Sequence, residues 1–119
     1  MAAATTYFAL YGAGQYGAVY PLITSADRAV IAEGVWTGLH QECKSPAAGL
    51  SYKVTHPVLS GQTAVMTVGF AGAASAIGSE QVTFAYEGGG WYYEVPNLQV
   101  YRGHTLAQAV AAQKAAGSC

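Results

Sequence analysis

The side chains able to do chemistry are few and widely spaced. His40 stands three residues before Cys43, a spacing that puts both on one helical face, where a histidine can activate a thiolate or supply half of a metal site. A zinc site needs three or four ligands and only these two lie near each other, so no metal is expected. His56 alternates with Tyr52 and Val54, which aims it at the buried side of a strand as a general base or ligand contact. No carboxylate can be named as its partner, which favours a plain cavity-wall histidine. His104 precedes the last helix and reads as a loop residue. Asp27 and Arg28 read as a solvated first helical turn, although an acid and an arginine beside a pocket would also orient a ligand.

Composition narrows the classes. The chain has 119 residues, which fits one domain over 1–119 with a single core. Hydrophobic residues make up 52%, charged ones 9%, and the net charge is −1, which is no footprint for holding a phosphate backbone. Nucleic acid is therefore excluded as a partner. Apolar runs are broken well before the roughly 20 residues of a membrane-spanning helix, so no integral membrane segment is expected. The opening "MAAATTYFAL" shows no basic leader, apolar run and cleavage site. The expectation is a cytoplasmic protein or a mature exported form.

The elements that must position these residues follow from periodicity. Tyr7, Leu10 and Tyr11, then Tyr16, Val19, Tyr20 and Ile23, recur at helical spacing on either side of "GAG" at 12–14, which predicts two short helices with a bend. Thr24 or Ser25 caps a third helix predicted from Ala26 to Cys43, with Ile31, Val35 and Leu39 four apart and Trp36, His40 and Cys43 beside them. "KSPAAG" should end it. The period then changes to two. "LSYKVTHPV" sends Leu50, Tyr52, Val54, His56 and Val58 to one face. "TAVMTVGFA" does the same with Ala64, Met66, Val68 and Phe70, and "QVTFAYE" with Val82, Phe84 and Tyr86. Gly88, Gly89 and Gly90 form a hairpin loop, after which Trp91, Tyr93 and Val95 share a face. Thr105 and Gln108 have capping-box spacing at the start of a helix predicted from Leu106 to Ala116, with Gly117 as its stop.

Together these predict an α+β cone: N-terminal helices on a curved four-stranded antiparallel sheet, followed by a C-terminal helix. The candidate pocket-lining residues are Tyr7, Tyr11, Trp36, His40, Tyr52, His56, Met66, Phe84 and Tyr93. Cys43 and Cys119 are either joined, stapling the C-terminal tail and pointing to an oxidising compartment, or two unrelated reduced thiols.

The segment "YFALYGAGQYGAVYPLITSADR" resembles the helix, bend and "LL-S-x-x-D-R" passage of nuclear transport factor 2-like (cystatin-like, ketosteroid-isomerase superfamily) domains. "WTGLHQEC", "YEGGGWYYEVPNL" and "AAQKAAGSC" are similar to the variant found in actinobacterial secreted proteins and lipoproteins. The likeness covers nearly the whole chain. It implies a structural pair between Cys43 and Cys119 and an extracytoplasmic setting. The superfamily holds isomerases, cyclases, hydratases, ligand carriers and transport adaptors, so it does not fix an activity. Its ketosteroid-isomerase branch uses a first-helix tyrosine as an oxyanion donor, and Tyr7 stands at the matching distance before Gly14 and Gln15. The carboxylate base of that branch has no counterpart in the region of Ile31 and Trp36. Asp27 is needed as a cap, and the strand acids face away from the large apolar residues. Tyr7 is accordingly expected as a core tyrosine with a hydrogen-bonded hydroxyl. The expected function is non-enzymatic binding of a small apolar molecule, or of a protein partner through the open sheet, without a cofactor. The alternatives are an isomerase- or cyclase-like enzyme using Tyr7 and His56, and a structural module that forms a homodimer.

Overall fold

A computed structural model describes residues 1–44 and 49–119. The expected helix stop in "KSPAAG" falls partly on residues 45–48 and so lies outside the described residues. The architecture is α+β, with helices at both ends of the chain around a curled antiparallel sheet.

Helix α1 (Ala2–Gly12) and the single turn α2 (Tyr16–Val19) flank the predicted bend, where Gly14 takes φ 74°, a left-handed conformation that favours glycine. A short 3-10 turn, Tyr20–Leu22, leads to α3 (Ser25–Val30) and α4 (Glu33–Glu42). The single helix predicted over 26–43 is thus two. Ile31 is extended (φ −107°, ψ 109°) and fully buried, and Ala32 begins the next helix. Val30 and Ile31 are stiff at χ1 and weak helix formers. Breaking the helix there drops Ile31 into the core, and the Tyr20 hydroxyl donates to the freed Ile31 carbonyl at 2.6 Å.

The sheet runs β1 (Tyr52–Val54), β3 (Thr63–Phe70), β4 (Glu80–Glu87) and β5 (Gly90–Tyr93), all antiparallel, with β2 (Val58–Ser60) pairing the other half of β3. The predicted strand over 50–58 is therefore a broken edge. Pro57 has no N–H to give to a ladder, and the chain leaves the sheet after Val54. Ala64, Met66 and Val68 are buried, as their alternation predicts. Gly88 (φ 56°) and Gly89 (φ 92°) make the two-residue reversal between β4 and β5, with both central residues at positive φ as a hairpin turn of this length prefers.

A 3-10 stretch at Gly72–Ile77 between β3 and β4 has no counterpart in the periodicity. Helix α5 (Leu106–Ala115) starts with the predicted Thr105–Gln108 capping box. Gly38 on α4 lets the Leu106 side chain of α5 approach so closely that an added Cβ would lie 2.7 Å from it. The core lies between α1, α4 and the concave face of the sheet, where Phe8, Trp36, Phe84, Val68 and Tyr101 are buried. Among the described residues no helix is long and apolar enough to cross a membrane.

Candidate functional site: an aromatic cavity at the mouth of the cone

Helix α1 crosses the concave side of the sheet and leaves one end of the cone open. The opening is a cavity of about 730 Å³. Tyr7, Phe8 and Tyr11 line it from α1, Trp36, Leu39 and His40 from α4, and Tyr52, Phe70 and Tyr93 from the sheet. Lys44 and Glu80, both exposed, stand at its rim with the tail residues Gly117 and Ser118.

The floor is an aromatic stack. Tyr7 lies on Tyr93 with ring centroids 4.4 Å apart, and Phe84 meets both rings edge-on at 5.9 and 5.6 Å. Such pairs add about 0.5–1.5 kcal/mol beyond the area they bury. On the helical side, Trp36 donates from Nε1 to the Tyr16 carbonyl at 3.2 Å, tying α4 to α2, and stacks near Tyr101 at 6.0 Å. The His40 ring is wedged among Trp36, Tyr16 and Tyr11 at centroid distances of 4.2, 5.1 and 5.5 Å. Its Nδ1 lies 2.8 Å from the Trp36 carbonyl.

The structure brings together six of the residues named from sequence: Tyr7, Tyr11, Trp36, His40, Tyr52 and Tyr93. Three stand elsewhere. His56 sits in the gap between β1 and β2 and is exposed, because the strand that would have turned it inward ends before Pro57. His56 therefore does not line the cavity with Tyr7. Met66 and Phe84 do face inward, but they belong to the buried core and are not among the residues that line the cavity. Tyr101 was not expected. It follows the short 3-10 turn Leu98–Val100, lines the cavity, and stands in no periodic pattern that would mark it.

The acids also depart from expectation. Asp27 is buried rather than solvated, and its Oδ2 accepts from the Val95 backbone N–H at 2.8 Å, clamping α3 to the chain leaving β5. Thr24 caps α3 by accepting from the Asp27 N–H. Glu87, at the end of β4, accepts from the Ser25 N–H at 3.0 Å and so supplies a second partner at the same helix start. Both acids are engaged in holding backbone N–H groups of the fold. His104, next to α5, is within 2.6 Å of the Val100 carbonyl through Nδ1.

Cys43 and Cys119 form a disulfide that joins the end of α4 to the tail beyond α5 and contributes to the cavity wall. Its sequence separation of 76 gives about 4.5 kcal/mol in the chain-entropy account. Neither sulfur is then free to be a nucleophile or a metal ligand beside His40. Among the described residues no three of His, Cys, Asp and Glu gather as metal ligands.

Electrostatically the cavity favours neutral groups. Burial raises the pKa of Tyr7 well above its ordinary 10.0, and repulsion from a Tyr93, Tyr11, Tyr101 or Tyr52 phenolate raises it further. Burial likewise raises Tyr11, Tyr93 and Tyr101, and to a smaller extent Tyr52. His40 moves the other way: burial lowers its pKa below 6.5, and the bond to the Trp36 carbonyl offsets only part of that. Among the described residues the hydroxyls of Tyr7, Tyr11, Tyr93 and Tyr101 have no hydrogen-bond partner, contrary to the expectation for Tyr7. All four residues line the cavity, and a phenol hydroxyl can both donate and accept.

Comparison with protein-family models, with curated proteins and with solved structures gives no match.

Proposed function

We propose that this protein is a non-enzymatic binding domain whose cone holds a small, largely apolar molecule. The observation that carries the reading is the cavity of about 730 Å³ walled by Tyr7, Tyr11, Trp36, Tyr52 and Tyr93. Cavities of roughly 300–1,000 Å³ with aromatic walls and a few placed polar groups are the usual form of a small-molecule site. The α+β cone is in keeping with a nuclear transport factor 2-like domain of the kind found in actinobacterial secreted proteins and lipoproteins. The Cys43–Cys119 bond supports an extracytoplasmic setting, because structural disulfides persist in oxidising compartments.

Native mass spectrometry of the unreduced protein tests this. A bound organic molecule, released on denaturation, is the expected result. A bare mass, together with no saturable uptake of any apolar probe, would contradict it.

A second reading is favoured by the convex face of the sheet. Val65 alternates with the buried Ala64 and Met66, so it points outward, opposite Thr83 on β4 and Val58 on β2. Val58 is 71% exposed. A protein partner or a second copy of the chain covers this uncharged strip. Light scattering across a concentration series should show dimers if the second copy is the occupant. A strict monomer at high concentration argues against that occupant.

A further inference from the structure

We infer that His40 is the specificity-determining acceptor of the cavity, selecting ligands that present a hydroxyl over ligands that present only an ether, a ketone or a carboxylate. The assignment rests on the cavity's being the ligand site.

A carbonyl oxygen only accepts, so the 2.8 Å contact with Trp36 places the ring proton of His40 on Nδ1. The lone pair is therefore on Nε2. Two features hold that state. Trp36, Tyr16 and Tyr11 pack around the imidazole and fix its orientation, and burial disfavours the imidazolium. His40 lines the cavity together with Tyr7, Tyr11 and Tyr93, so in this assignment Nε2 is the nitrogen acceptor of a wall whose other polar groups are phenols.

A ligand hydroxyl satisfies both kinds of partner at once. It donates to Nε2 and accepts from a phenol such as that of Tyr11, which lines the same cavity. An ether or ketone can accept from the phenol but leaves the nitrogen facing an oxygen lone pair. A carboxylate does worse, since it brings a charge into a wall with no buried cation; Lys44 is exposed at the rim. Aromatic rings from α1, α4 and the sheet favour a planar ring system as the body of the ligand. The class is a hydroxylated, uncharged aromatic or alicyclic ring compound.

Naphthol and its methyl ether separate the contributions, because they share a ring and differ in one donor. Calorimetric titration of the intact, oxidised protein should show naphthol binding about threefold to tenfold more tightly, the ratio that one net hydrogen bond supports. The His40 Nε2 resonance should show a hydrogen-bond shift with naphthol and only the smaller ring-current shift with the ether. In His40→Phe the two affinities should become equal. Equal affinities in the unsubstituted protein, or an Nε2 shift no larger with naphthol than with the ether, would overturn the assignment while leaving the cavity as a ligand site. Failure of both compounds to bind would overturn the assignment and the binding function together. The unsubstituted comparison decides the matter even if His40→Phe does not fold.

Discussion

The Tyr7 and Tyr93 rings stack at 4.4 Å, joining the first helix to the last strand at the floor of the cavity. The contact ties together segments far apart in the chain, so stability and binding meet at one pair of side chains. Tyr7→Phe keeps the stack and removes a hydroxyl that has no hydrogen-bond partner among the described residues. Its stability in urea should stay within about 0.5 kcal/mol of the parent, whereas Tyr7→Ala should lose about 3–5 kcal/mol. Equal losses would mean that the hydroxyl and not the ring holds this site.

The disulfide closes the cavity wall and restrains the tail. Cys119→Ser should lower stability by up to about 4.5 kcal/mol, and dithiothreitol should do the same to the parent protein. Denaturant midpoints measured with and without reductant check this. Helix α5 has few large anchors, Leu106 and Val110, so its amides should exchange fastest once the bond is cut.

Asp27 is a structural acid. Asp27→Ala strands the buried Val95 N–H and should cost about 1–3 kcal/mol. The same change at Glu33, exposed at the start of α4, should cost far less. Chemical denaturation of the two variants makes the comparison.

Much of this was legible in the sequence, and the misses have physical reasons. Alternation reports burial directly, so Ala64, Met66 and Val68 marked their strand and its inner face. It fixes a face without fixing depth, so Met66 and Phe84 read as cavity wall although they are buried core. The alternation through His56 continued past the point where Pro57 ends the ladder. Ile31, Val35 and Leu39 kept helical spacing across a break, because an extended Ile31 still points into the core. Tyr101 stands alone in sequence and joins the cavity through the turn that follows β5.

Stability should fall at both ends of the pH scale. The folded pKa of His40 lies below 6.5, so the unfolded chain binds more protons as pH drops through that value, and stability is lost from there down to the folded pKa. The phenols of Tyr7, Tyr11, Tyr93 and Tyr101 have folded pKa values above 10.0, so their contribution is complete below pH 10.0 and is lost as pH rises beyond it. Phenolate absorbance and circular dichroism should change together in alkali. Ionisation of these tyrosines at their ordinary pKa without unfolding would contradict their burial.

The most direct measurement is chemical-shift mapping during titration with naphthalene, which carries no polar group. Saturable shifts centred on Tyr7, Tyr11, Trp36, Tyr52 and Tyr93 are predicted, with Val58, Val65 and Thr83 unmoved. Shifts confined to that outer strip, or none at any concentration, would contradict the cavity as the binding site.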